Sequence, residues 1–465
     1  MRKSRIIPLT VATALFMENI DGTVLSTSLQ AIALDFGVEP LALKLALMSY
    51  MISLAIFIPI CGWVADRFGA KNVFMLAQCV FMAASLASAS AQSLEWFVVF
   101  RFLQGMGAAM MVPVGRLILL RSVPKTEVVQ ALATLTIPAL LGPVIGPPLG
   151  GFITTYFHWR WIFLINLPIA VLGLIMAHLF FENIREEDTP PLDFPGFLLS
   201  GAALSLVMLG LATSGRHILP MEVSIGSVII GLICAAGYFY HSNRIPNPVL
   251  KLSLLRFQTF RASVAGGIFF RIGTGATPFL LPLMLQIGFG LSPLQSGLLT
   301  FVSALGSIFT KTIVTKVLCA TGFKQVLIVN AFISSGFLAL HGFFTPSTPH
   351  WLIMSVLFIA GCFRSMQFTA LNALAFADIS KRDMSYATSF SAMMQQLSLS
   401  LGVTAGAFGL EIAQYVRGDT QILTADFLTA FLFVAAISSL SGFVFIRLPK
   451  DAGEEMSGYR ANNRN

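Results

Sequence analysis

The sequence predicts an all-α polytopic membrane protein, and three observations carry that prediction. Hydrophobic residues fill 56% of the 465 positions against 11% charged, and mean hydropathy is +0.82, an apolar content no soluble domain solvates. The apolar residues gather into about fourteen runs long enough to cross a hydrocarbon core of ~30 Å, for which ~20 helical residues suffice. The cations between the runs alternate in density. The amino terminus, the even-numbered loops and the tail hold 20 Lys and Arg, while the odd-numbered loops hold only Lys44, Arg160, Arg216 and Arg417. An even number of spans and the positive-inside rule then place both termini in the cytoplasm.

Composition also excludes classes. The formal charge of +8 is spread over short loops (Arg67, Lys71, Arg121, Lys125, Arg244, Lys251, Arg256, Arg261, Lys381, Arg382) and makes no nucleic-acid surface. Cys61, Cys79, Cys234, Cys319 and Cys362 lie in or beside apolar runs without CxxC spacing, so neither disulfides nor a metal site is expected. No GxxxxGK[ST] sequence and no soluble domain are present to hold ATP, and no paired catalytic constellation is visible, so the chain is not expected to be an enzyme.

The runs cover about 7–33, 43–65, 73–91, 96–120, 128–153, 161–182, 194–213, 221–241, 262–287, 293–316, 324–345, 350–376, 385–415 and 425–447. The first begins after MRKSR like a signal peptide, but it carries Glu18 and Asp21, is too long and lacks a clear cleavage site, so it is expected to be a retained span. An acidic, proline-containing linker (ENIREEDTPPLD, Glu182 to Asp193) follows the sixth run, and a longer basic loop, His241 to Arg261, follows the eighth. The pentapeptide Gly69-Ala70-Lys71-Asn72-Val73 after run two is echoed by Gly322-Phe323-Lys324-Gln325-Val326 after run ten. Duplicated six-helix bundles with two helices inserted between them account for that echo. The expected divisions are 1–182 for the first bundle, 183–261 for the linker and two extra spans, 262–449 for the second bundle and 450–465 for a cytoplasmic tail.

In the first run, Glu18 and Asp21 lie three apart on nearly the same face, with Asp21 ~20 Å from the cytoplasmic end at ~1.5 Å per residue. A carboxylate at that depth is costly enough to mark function. The fourth run opens RFLQGMGAAMMVPVGR, placing Arg101 and Gln104 on one face, while Gly105, Gly107, Ala108 and Ala109 permit close packing. An Arg approaching or leaving Asp21 or Glu18 would make that acid release or take up a proton. Arg101 also stands about two turns from the outer boundary, where a snorkelling role is the alternative.

The loop after run two reads GWVADRFGAKNVF. Arg67 and Lys71 help to set topology, but Asp66 at a helix carboxyl end opposes the dipole and calls for a switchable ion pair. The stretch LGPVIGPPLGG, Leu141 to Gly151, sets Gly142, Gly146 and Gly150 four apart as one side-chain-free stripe, while Pro143, Pro147 and Pro148 remove backbone donors. Spacing alone is met equally by a tight helix crossing and by a functional helix.

Taken together these stretches resemble the motifs of the major facilitator superfamily and, within it, the fourteen-span drug/proton antiporter family (EmrB/QacA-like multidrug exporters). The Asp21 stretch resembles that family's first-helix motif, and Glu18 is not a usual member of it, so which acid titrates stays open. GWVADRFGAKNVF resembles the superfamily's signature loop, with Asp66, Arg67, Gly69 and Lys71 at matching positions and Ala70 in place of a usual basic residue. RFLQGMG resembles the fourth-helix motif whose Arg is associated with proton transfer. LGPVIGPPLGG, with Gly142, Pro143, Gly146, Pro147, Gly150 and Gly151, resembles the antiporter motif, which lies between the transporter's two halves. HWRWIFLINLP (His158 to Pro168) and LDFPGFL (Leu192 to Leu198) resemble the lead-ins to spans six and seven.

The resemblance implies a major facilitator fold of 14 transmembrane helices arranged 6 + 2 + 6, working as a proton-coupled exporter. The proton gradient, rather than any cofactor, would be its energy source; the expected partners are a small-molecule substrate, protons and the bilayer, the expected state monomeric.

In the second half, ATSFSAMMQQLSLSLGVTAGA fits the family's thirteenth helix and offers Gln395 and Gln396 as cavity hydrogen-bonders or interhelical glue. Arg271, Lys311 and Arg364 fall inside runs. Lys311 can snorkel, whereas Arg271 and Arg364 at mid-depth must face the interior or water. A cation-lined cavity would suit organic acids, metal chelates of the siderophore type or zwitterions, against the drug-like cations the family implies. A proton-coupled importer on the same scaffold and, more remotely, a non-transporting receptor or enzyme are the rival functions.

Overall fold

The computed structural model describes residues 3–122, 128–183, 185, 191–213, 220–380, 383–418 and 421–454. The loop cations Lys125, Arg216, Lys381 and Arg382, the middle of the acidic linker (186–190) and the end of the tail lie outside the described residues.

The described chain is all helix and connection. In order the helices are α1 Lys3–Phe36, α2 Lys44–Phe57, α3 Cys61–Phe68, α4 Ala70–Ser90, α5 Leu94–Ser122, α6 Val128–Tyr156, α7 Trp161–Leu164, α8 Asn166–Phe180, α9 Phe194–Thr213, α10 Met221–Ser242, α11 Gln258–Leu283, α12 Pro293–Thr300, α13 Val302–Lys311, α14 Val314–His341, α15 His350–Leu374, α16 Met384–Arg417 and α17 Thr424–Ile446. Among the described residues, 12 helical stretches are long and apolar enough to cross a membrane. They take in every hydropathic run except the first and fifth. Those two are helical as well, as α1 and α6, and Glu18, Asn19 and Asp21 dilute the apolar character of α1.

Two compact units divide the chain, Met1–Leu204 with Ser292–Leu298 and Ser205–Leu291 with Leu299–Asn465. In the first unit α1 packs on α6, α8 and α5, α4 packs on α5 and α8, and α2 packs on α5. The second unit repeats that scheme helix for helix: α11 on α16, α17 and α15, α14 on α15 and α17, and α13 on α15. The echoed glycines agree with it. Gly69 (φ 90°) separates α3 from α4, and Gly322 (φ 75°) interrupts α14 at the corresponding place, both in a backbone conformation glycine adopts without strain.

Small residues set the closest packing. A Cβ on Gly105 would meet the Tyr50 carbonyl of α2, and one on Gly107 the Phe81 amide of α4, so the RFLQGMG run lets α5 touch two neighbours at backbone distance. Gly306 and Gly361 do the same between α13 and α15. The cores filling the remaining space are aromatic, with Phe74, Phe81, Phe97 and Phe163 buried in the first unit and Phe260, Phe270, Phe279 and Phe431 in the second. Helices α9 and α10 are the least covered of the 12 and expose Ile229, Ile230, Leu232 and Ile233, as a lipid-facing helix does.

Candidate functional site

Asp21 sits in α1 with 3% of its surface exposed, and three side chains from two other helices converge on it. Arg101 Nη1 donates to Asp21 Oδ2 at 2.6 Å, and Gln104 Nε2 donates to Oδ1 at 2.8 Å. Asn166, the first residue of α8, donates from Nδ2 to the same Oδ1 at 2.9 Å. Arg101 Nη1 also reaches Gln104 Oε1 at 2.6 Å, and the Arg101 guanidinium lies over the Tyr50 ring at 4.3 Å. Ser85 of α4 closes the network. It accepts from Asn166 at 3.1 Å and from Gln104 at 3.4 Å while donating to the Phe163 carbonyl at 2.9 Å.

Arg101, Gln104 and Asn166 each direct a donor at the Asp21 carboxyl group, whose ionised form accepts all three without offering a proton. A proton arriving on Asp21 would compete with a donor already in place. The carboxyl group of α1 is thereby tied to side chains of α5 and α8.

Glu18, one turn earlier, differs. Its Oε2 is buried without a hydrogen-bond partner among the described residues, and so is the Tyr50 hydroxyl. Thus the two acids the sequence sets side by side are not equivalent: Asp21 is fully engaged, while Glu18 holds an unused acceptor.

The glycine stripe positions α1. Cβ atoms on Gly142, Gly146 and Gly150 would meet Asn19, Thr23 and Val24 with Thr27, and Thr23 Oγ1 donates to the Gly142 carbonyl at 3.4 Å. The stripe therefore faces α1. Gly151 and Pro147 carry a different contact, since Cβ atoms on Gly151 and Gly297 would meet Pro293 and Pro147. Helix α6 runs unbroken through Pro143, Pro147 and Pro148.

The signature loop makes three attachments. Asp66 accepts from Arg121 in the last turn of α5 at 2.9 Å, Lys71 donates to the His178 carbonyl at the end of α8 at 2.7 Å, and the Gly69 position is closed off by the Asn183 amide. Arg67 is exposed. The partner that Asp66 needs is thus Arg121, which the sequence shows only as a loop cation.

The HWRW stretch fastens the other end. Arg160 Nη1 donates to Asp35 at 2.6 Å and its Nη2 to the Ala91 carbonyl at 2.9 Å, while Trp159 Nε1 donates to Asp35 at 3.2 Å and its ring meets those of Phe36 and Phe97. Burial pushes the Asp35 carboxyl up, but the hydrogen bond and charge of Arg160, together with Trp159, outweigh it and hold the group below its usual range. In LDFPGFL, Asp193 caps α9 by accepting from the Gly196 amide at 2.9 Å.

The five second-half residues are not brought together. Arg271 is 1% exposed, donates to Asn372 Oδ1 at 3.2 Å and lies over the Phe368 ring at 5.4 Å, packed between α11 and α15. Lys311 ends α13 and donates to Thr369 at 2.7 Å. Gln395 and Gln396 are half-buried on α16 without a hydrogen bond among the described residues. Arg364 lines a cavity together with Ser334 and His341 of α14.

The fold is shared with solved membrane transporters. An auto-inhibited POT family peptide transporter superposes with TM-score 0.71 at 15% identity, covering 97% of this chain and 98% of that one. A D-xylose–proton symporter gives TM-score 0.66 at 14% identity over 96% and 98%. The architecture is accordingly that of a multi-pass helical membrane protein. The profile of the Major Facilitator Superfamily matches residues 11–403, and the chain belongs to that superfamily. Among curated relatives, proteins provisionally named multidrug resistance protein MdtD are similar over nearly the whole length. The one from Klebsiella pneumoniae subsp. pneumoniae is 35% identical over 97% of this chain and 96% of its own, and one from Escherichia coli is 34% identical over 96% and 95%.

Proposed function

We propose that this protein is a proton-coupled exporter of small, drug-like molecules, with Asp21 as the proton carrier and Arg101, Gln104 and Asn166 as the groups that sense its charge. The observation that carries the reading is the buried Asp21 carboxylate held by Arg101 at 2.6 Å and by two amides. An intramembrane acid so fully engaged stores a proton-dependent change of state that a purely structural helix contact does not need. The names of the MdtD relatives support drug-like cargo.

On this reading 14 spans, α1 and α6 added to the 12, are arranged 6 + 2 + 6, with 1–182 and 262–449 as the two bundles and 183–261 holding the extra pair. Both termini face the cytoplasm of a bacterial inner membrane, supported by the density of Lys and Arg in alternate loops. Protonation of Asp21 on the outer-open side would free Arg101 and Gln104, substrate would leave, and deprotonation on the inner-open side would restore the network.

The test is exchange in everted membrane vesicles. Under a respiration-generated gradient, adding a transported drug should dissipate the interior acid pH, and Asp21→Asn should abolish that response while the protein is still inserted at wild-type amounts. A substrate-driven change of opposite sign would identify an importer.

A further inference from the structure

Inside the second unit, side chains from α11, α13, α14, α15 and α17 enclose about 400 Å³ of space, part of it open to solvent. His341 is 4% exposed and neither ring nitrogen has a hydrogen-bond partner among the described residues. The Ser334 hydroxyl is buried and likewise unpartnered among the described residues. Arg364 has no hydrogen bond or ion pair among the described residues, and no acidic side chain lines the cavity. Phe270 and Leu338 supply an apolar wall.

The His341 ring and the Ser334 hydroxyl, so buried, lower stability unless something fills the space beside them, and the half-buried Arg364 lines the same space. Water can satisfy the hydroxyl and the imidazole, but it leaves the guanidinium without a counter-charge in a site where the field is strong. Arg271 donates to Asn372 and lies over the Phe368 ring, its Nε is buried without a hydrogen-bond partner among the described residues, and it does not line this cavity. A planar carboxylate matches the fork of a guanidinium and accepts further bonds from a hydroxyl and an imidazole N–H. One cation balances one negative charge, so a dianion such as a phosphate monoester is left short. The apolar wall suits a compact ring or short chain behind the carboxylate.

We propose that this cavity binds a compact apolar monocarboxylate, its carboxylate on Arg364 with Ser334 and His341 as co-ligands. The binding itself is a property of the second unit. That the carboxylate is cargo rests on the exporter reading above.

Titration calorimetry of the purified full-length protein with benzoate at pH 7 tests it, with benzamide as the uncharged analogue. Saturable benzoate binding is expected, weakened about tenfold or more by Arg364→Gln and less by Arg364→Lys, and unchanged by Arg271→Gln. Benzamide should not compete on the wild-type protein, an arm that does not depend on any variant folding. No saturable binding of benzoate, equal competition by benzamide, or full affinity in a folded Arg364→Gln protein would each overturn the proposal. Benzoate binding without proton exchange in vesicles would instead remove the exporter reading and leave the site standing, while proton-coupled export of ethidium by a protein that ignores benzoate would do the reverse.

Discussion

Arg101 Nη1 lies 2.6 Å from Asp21 Oδ2, with 1% and 2% of the two side chains exposed, so each is the other's charge balance in a place water does not reach. Removing one partner leaves a buried, uncompensated charge, a change that costs ~3–5 kcal/mol in buried pairs. Arg101→Ala should therefore lower the thermal midpoint sharply. Asp21→Asn/Arg101→Gln, neutral on both sides, should recover most of that stability and none of the coupled transport. Equal losses in the single and double variants, followed by fluorescence-detected size exclusion, would disconnect the pair from stability.

Asn166 offers a finer adjustment. Asn166→Ala removes one of three donors to Asp21 and leaves the ion pair, so transport should persist with its half-maximal pH moved upward. The pH profile of drug-driven proton release in proteoliposomes reads this directly. A profile superposable on wild type would reduce Asn166 to a helix-start residue.

Crowding at the α1–α6 contact predicts a rescue. Gly146→Ala places a methyl against Thr23 and should destabilise the first unit by ~1–3 kcal/mol, the range for overpacked sites. Thr23→Ala in the same chain should return about half or more of the lost thermal midpoint, and no recovery would mean that Thr23 is not what the methyl meets.

The Asp66–Arg121 pair, at 2.9 Å with side chains 30% and 25% exposed, belongs to a different regime. Partly exposed pairs contribute ~0–1 kcal/mol. Asp66→Asn should hardly move the thermal midpoint, yet it should change the rate of substrate exchange if the loop switches between states. A fall in stability as large as that of Arg101→Ala would make this pair structural.

The Asp35 clamp predicts an acid limb. Because the folded carboxyl titrates below its unfolded counterpart, the stabilisation is fully present above the ordinary Asp value and is lost as pH falls through the folded one. The thermal midpoint should decline below pH ~4, and Asp35→Asn should flatten that decline. An identical slope in both proteins would place the acid sensitivity elsewhere.

Much of this was legible because membrane chains restrict their vocabulary. Runs without charge become helices, so Asp21, Arg101 and Gln104 stood out as polar residues with no solvent to meet. Glycines at four-residue spacing announced a helix contact but not which helix, since α1 and an opposing bundle make the same demand of a stripe. Partners distant in sequence were hidden. Asn166 looks like an ordinary polar residue at the start of a span, and Arg121 like one more loop cation, until the fold carries them to Asp21 and Asp66. Arg271 and Arg364 were indistinguishable by depth. What separates them is Asn372 beside one and His341 beside the other, which no local spacing encodes.

The notches that Gly142, Gly146 and Gly150 present to Asn19, Thr23 and Thr27 recur every ~6 Å along α6. Two helices meshed in this way have a detent. A slide of a fraction of a turn forces a threonine up onto a methylene-bearing neighbour, and only a jump of a whole turn finds the next empty notch. The depth of Asp21 along the bundle axis is therefore fixed in steps rather than continuously adjustable. The height of this acid is set by three missing side chains on the helix beside it.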